Sequence, residues 1–346
     1  MDKLAAESAF DWLGDEGIRV IALAGICKNA GKTTLLNHFL RMTEIQRCGV
    51  FSTGIDGEET DTVFHTPKPS VRLAAGQLFC CDTTTLDSHG AAVSILEKLR
   101  AGTALRPLWL ARTEVPVETS ITGPSSVRAQ ISVLRRMQSN GAQRVFIDGS
   151  LDRKSIALSE AVDAVAVLAG ASFGSVSAIR SELRRLELLN QLPRPLEIPA
   201  NSAWDKFLRH SEQICARNGE LWQETPLASL IGTDKELKDL LEGKPDALYI
   251  PGALTDGLLA KLRQPWRESG VQLLFRHPEC LKLTLPKLEQ FCSEFDPRVL
   301  VPFKIRSFAL NSLALGAPET DADEWRQKLR GAFTHMALPD IRELAP

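Results

Sequence analysis

The stretch "ALAGICKNAGKTT", residues 22–34, decides how the rest of the chain is read. It closes on Gly31-Lys32-Thr33, the end of the Gly-x-x-x-x-Gly-Lys-Ser/Thr pattern in which backbone N–H groups cradle phosphates. Its opening departs from that pattern, because Ile26 stands where the first glycine belongs. Glycine serves there when the turn needs a positive φ, a conformation that strains a β-branched residue. Gly25, one place earlier, is therefore expected to absorb the turn, leaving five residues between the glycines.

The flanks fit a phosphate cradle. "IRVIALAG" (18–25) is a β-branched apolar run closed by glycine, as in a strand buried on both faces of a parallel sheet. In "GKTTLLNHFLRM", Leu35, Leu36, Phe39 and Leu40 recur at helical spacing. The order strand, tight loop, helix leaves the first N–H groups of the helix pointing at the loop, where an anion can satisfy them. Lys32 is then expected to reach the β and γ phosphates and the Thr33 hydroxyl to ligate magnesium. Gly25, Asn29, Ala30, Gly31 and Thr34 complete the expected nucleotide-binding set, together with Lys28, which reads equally well as a solvated loop lysine.

Working outward, "CGVFSTG" (48–54) is a second strand about one helix later, as a βαβ unit requires. "RVFIDGS" (144–150) is a buried strand that ends in an acid. Asp148 in that position makes a magnesium partner for Thr33, since Mg²⁺ takes one or two carboxylates plus phosphates and waters. The polar segment after the second strand carries Asp56, Glu58, Glu59 and Asp61. Segments beside a γ-phosphate order and release with nucleotide state, and Asp56, nearest the strand end, is the residue expected to position the attacking water. Arg153 and Lys154 read as solvated charges, and the histidines, including His65 and His277, fall in no metal-ligand spacing.

Helices at 125–141 and 177–192, with a strand at 162–170 between them, continue the alternation. "VRLAAGQLFCCDT" and "RPLWLARTEVPV" add extended segments. The pattern predicts an α/β fold: a P-loop NTPase-type, mainly parallel sheet flanked by helices over residues 1–200, with its ligand at the carboxyl ends of the strands. A helical connection is expected over 201–240 and a second, smaller α/β lobe over 241–346.

Composition excludes classes rather than choosing one. The 41 Lys and Arg against 43 Asp and Glu give a net charge of -2, with no electrostatic footprint for nucleic acid or an anionic membrane. The acidic start "MDKLAAESAFDWLGDEG" lacks the basic and apolar regions of a signal peptide, and no apolar run reaches spanning length. Seven scattered cysteines read as reduced thiols of a cytoplasmic protein.

Taken together, "GICKNAGKTTL", "STGIDGEETD", "TPKPSV", "GPSSVRAQ" and "VFIDGSLDRKS" resemble the B subunit of the lysine 5,6-aminomutase reactivase over roughly the first 200 residues. Beyond them only the strand and helix layout and "FALNSLA" carry the likeness. The resemblance implies a chaperone that binds and slowly hydrolyses ATP, or GTP, with Mg²⁺. Its implied partner is an adenosylcobalamin-dependent aminomutase, with a second reactivase subunit as a possible companion, and its cycle exchanges damaged cobalamin for intact cofactor. The absence of an Asn-Lys-x-Asp guanine signature favours adenine, and the chain has no Asp-x-His-x-x-Gly cobalamin signature. "ICKNAGKTT" alone is also similar to the molybdopterin-guanine dinucleotide biosynthesis protein B, a much shorter family without the "DGEETD" and "TPKP" segments. An ATP-dependent kinase or ligase of biosynthesis, and a nucleotide-binding adapter without turnover, are the competing classes.

Overall fold

The computed structural model describes residues 8–42, 47–54, 70–100, 107–150, 156–313 and 321–344. Along the chain come β1 (Val20–Gly25), α1 (Lys32–Met42), β2 (Cys48–Ser52), β3 (Val71–Leu73), β4 (Leu78–Asp82), α2 (Thr83–His89), β5 (Val93–Leu99), β6 (Leu108–Thr113) and β7 (Val117–Thr119). Next are α3 (Val127–Ser139), β8 (Arg144–Ser150), β9 (Ala164–Gly170), α4 (Val176–Asn190), α5 (Ala203–His210), β10 (Cys215–Asn218), β11 (Leu221–Glu224) and α6 (Asp234–Glu242). The remainder is β12 (Ala247–Ile250), β13 (Leu254–Thr255), α7 (Asp256–Ser269), β14 (Gln272–Phe275), β15 (Leu281–Lys282), α8 (Leu285–Phe295), β16 (Arg298–Val299), β17 (Ile305–Asn311) and α9 (Ala322–Ala332).

Two compact units share these elements: Met1–Arg180 together with Lys304–Pro346, and Ser181–Phe303. The first is built on an eight-stranded sheet in the order β17-β9-β1-β8-β2-β4-β6-β5, flanked by helices. Every pairing from β17 to β4 is parallel. Antiparallel pairing enters only with β6 and β5. The central strands are apolar on both faces because both faces are covered. β9, "AVAVLAG", is buried at all seven positions, and β1 at all but its last. Leu35 and Phe39 of α1 join Ile21, Leu23, Phe146, Leu168 and Ala309 in one core. At α3 the Ser126 hydroxyl accepts from the Ala129 N–H at 3.3 Å, and Gly141 follows the helix at φ 94°.

The second unit has a five-stranded sheet in the order β11-β10-β12-β14-β16. β12, β14 and β16 run parallel, while β10 and β11 form an antiparallel hairpin. Leu208, Cys215, Trp222, Tyr249, Leu274 and Leu300 pack at its centre.

The chain is thus divided at 180 and 304, where the sequence pattern divides it at 200 and 240. Two features account for the difference. Residues 201–240 are not a helical connection, since they include the β10–β11 hairpin. β17 does not belong with the strands before it, but pairs with β9 from Ile305 to Asn311. A fully buried β9 needs a partner on its outer edge, and the apolar "IRSFALN" supplies one.

All seven cysteines are free thiols. Burial first, then the neighbouring Asp82, pushes the Cys81 thiol up to about 12, so it stays neutral. Among the described residues no helix is long and apolar enough to cross a membrane.

Candidate functional site

The loop between β1 and α1 sits at the carboxyl ends of three adjacent strands, and its conformation follows from how it is tied to them. Ile26 is not where the turn is made. Its N–H donates to the Leu168 carbonyl at 3.0 Å, extending the β1–β9 ladder one residue past Gly25. The positive-φ positions of the loop are Asn29, at 57°, and Gly31, at 92°. The expectation that Gly25 absorbs a positive-φ turn is therefore corrected: with β1 prolonged through Ile26, the chain reverses over 29–31 instead. Asparagine is among the few non-glycine residues that tolerate the left-handed region.

Gly25 is required for a different reason. A Cβ there would lie 2.9 Å from the Ala30 Cβ, 3.1 Å from the Cys27 carbonyl oxygen and 3.6 Å from Lys32 Cδ. The loop folds down onto Gly25, Ala30 is fully buried beneath it, and the aliphatic chain of Lys32 is laid back across the strand end. Gly170 at the end of β9 is crowded from the same side, its would-be Cβ 3.1 Å from Ala30 Cα and 3.2 Å from Cys27 Sγ. Beyond it the Ser172 hydroxyl donates to the Lys28 carbonyl at 3.2 Å and lies 3.4 Å from Cys27 Sγ.

Helix α1 begins at Lys32, with the Leu35 N–H bonded to the Gly31 carbonyl at 3.1 Å. The N–H groups of Lys32, Thr33 and Thr34 precede that first bond and have no acceptor within the helix. Lys32 and Thr33 are half-buried, whereas Thr34 and Lys28 are exposed. Asn29 Nδ2 is buried without a hydrogen-bond partner among the described residues.

Asp148 lies on β8, the strand next to β1 on the side away from β9. In register it stands opposite Leu23, two residues short of Gly25, and opposite Ser52 of β2. It is half-buried, and its carbonyl accepts from the Thr53 N–H at 2.8 Å. The structure therefore groups Gly25, Asn29, Ala30 and Gly31 in one loop, with Lys32 and Thr33 opening the helix and Asp148 on the adjoining strand, two residues before its end. Asp56, Glu58, Glu59, Asp61, Arg153 and Lys154 lie outside the described residues. No three His, Cys, Asp or Glu side chains converge as metal ligands among the described residues.

Sequence reasoning missed the residues that hold the loop from outside. Asn311 Nδ2 donates to the Asn29 carbonyl at 3.3 Å. A Cβ on Gly31 would meet Ile341 Cδ1 at 2.2 Å and Asn311 Nδ2 at 3.0 Å. Asparagine directly ending the apolar strand "IRSFALN" is the one local signal for this role. Ile341 offers none.

Comparison with protein-family models gives no match, and comparison with curated proteins and with solved structures gives none either.

Proposed function

We propose that this chain binds a nucleoside triphosphate with magnesium at residues 25–34 and acts as the nucleotide-dependent reactivating partner of an adenosylcobalamin-dependent aminomutase. The observation that carries the nucleotide reading is the position of Lys32. It opens α1 at a tight, twice positive-φ loop, and its aliphatic chain folds back across Gly25. A lysine at that position, together with first-turn N–H groups that have no acceptor within the helix, is the chemistry that recognises a phosphate chain. The buried Asn29 amide supports the same reading, because an unsatisfied donor costs roughly 1–3 kcal/mol unless a ligand oxygen meets it. Thr33 supplies a hydroxyl and Asp148 a carboxylate, a donor set suited to magnesium that also carries phosphate oxygens and waters.

The client is proposed from the motif resemblance alone. In that cycle, hydrolysis biases a two-state element in the partner rather than releasing a product of use, and adenine is the favoured base. Isothermal calorimetry with MgATP and MgGTP on wild type and Lys32→Ala tests the first half. We expect binding that weakens by about a hundredfold in the variant, the scale on which a buried charge contact is lost. Wild type that binds neither nucleotide ends the proposal. The second half is read by adding the chain, MgATP and intact cobalamin to an inactivated aminomutase; recovery that persists with Lys32→Ala removes it.

A further inference from the structure

The phosphate loop touches a part of the chain that lies farther along the sequence than the length of a typical domain. Residues 338–344 run beside β17 as an added short rung. The Leu310 N–H donates to the Pro339 carbonyl at 2.8 Å, and the Ile341 N–H returns to the Leu310 carbonyl at 2.9 Å. Asp340, fully buried, accepts from the Ser312 N–H at 3.2 Å and from Arg326 Nη1 at 3.1 Å. Arg330 donates to the Leu338 carbonyl at 2.9 Å and pairs with Glu343, which Arg326 also approaches at 3.4 Å. Helix α9 thus carries two arginines that fix this rung in place.

What the rung delivers is Ile341, 6% exposed, set against Gly31. On the same side Asn311 holds the Asn29 carbonyl, while its own Oδ1 is fixed by the Leu313 N–H at 3.1 Å. The two loop residues braced in this way are the two with positive φ. Such conformations persist when the surroundings over-determine them, and a loop ordered beforehand does not spend binding energy on being ordered. With the nucleotide reading above as its basis, we infer that segment 338–344 and the end of β17 are a working part of the phosphate loop. Ile341 and Asn311 are positioning residues that hold Gly31 and Asn29 in the binding conformation.

The test compares wild type, Ile341→Ala, Asn311→Ser and Leu110→Ala in the full chain. Leu110 is fully buried on β6, at the other side of the same sheet, and reports general destabilisation. Two quantities are read: calorimetric affinity for MgATP and MgGTP, and hydrogen exchange of amides 26–34 without nucleotide. Ile341→Ala and Asn311→Ser are expected to weaken binding by about tenfold and to speed exchange in the loop. Leu110→Ala is expected to lower the melting temperature and change neither. Unchanged affinity and exchange in both brace variants, or equal changes in Leu110→Ala, overturn the inference. Wild type that binds no nucleotide overturns the proposed function instead, and loop exchange then decides the brace by itself. Should Ile341→Ala not fold, Asn311→Ser carries the same comparison.

Discussion

At the scale of single residues, Ile26 shows how a motif letter can mislead. The usual glycine is valued there for its φ, yet Ile26 takes no positive φ and sits in a ladder bond to Leu168. Restoring the glycine is therefore expected to gain nothing. Ile26→Gly should leave nucleotide affinity unchanged and destabilise the fold by about 0.4–1 kcal/mol through the added freedom of the unfolded chain, measured by urea unfolding. Affinity that rises in the variant would contradict the register described for β1. The placement of Lys32 and Thr33 at a helix start and of Asp148 on a buried strand was legible in the sequence, because each stands at a fixed offset from an apolar run. Asn29 and Gly31 were legible as members of the loop, though not as its turning points. Ile341 was not legible at all, since contact between positions so far apart in the chain leaves no local pattern.

Elements were legible where burial is uniform. β1, β8 and β9 read as strands because their apolar runs are short and closed by glycine or an acid. The β10–β11 hairpin was missed among charged neighbours, although its two-residue loop, Gly219-Glu220, opens on a glycine with φ 60°. The connection from β14 to β15, residues 276–280, carries a pH response that periodicity could not announce. Burial lowers His277 to about 4, against the pull of Glu279 and with a further push from Arg276 and Lys282. A base depressed in the folded state is neutral there while the unfolded chain takes up its proton. Stability is accordingly full above pH 6.5 and is lost as pH falls from 6.5 toward 4. The loss is ~2 kcal/mol once partial exposure is allowed for. Urea midpoints across that range should slope in wild type and flatten in His277→Gln; parallel profiles would assign the slope to other groups.

For the whole molecule, layer type was legible and partition was not. Alternating strands and helices specify an α/β fold, but nothing in "IRSFALN" says which sheet it joins. The second unit closes on itself at both ends: the Val299 N–H donates to the Pro193 carbonyl at 3.0 Å, and Arg194 Nη1 donates to the Leu300 carbonyl at 2.8 Å. Asp205, 1% exposed, accepts from both Arg194 and Arg209 near that junction. A fragment spanning Ser181–Phe303 is therefore expected to fold alone and unfold in one cooperative transition by circular dichroism. A fragment ending at residue 180 lacks β17 and should not. A gradual, non-cooperative melt of the 181–303 fragment would show that its boundaries are wrong.

The interleaved order of the two units also sets a schedule for synthesis. β9 leaves the ribosome well before its outer neighbour, so an entirely apolar strand keeps a bare edge for on the order of ten seconds while the intervening unit is made. Nascent chains are most open to mispairing and to chaperone capture in that interval. Ile341 emerges later still, after β17. A chain arrested before β17 would carry all of residues 25–34 but neither Asn311 nor Ile341, the two residues set against Asn29 and Gly31.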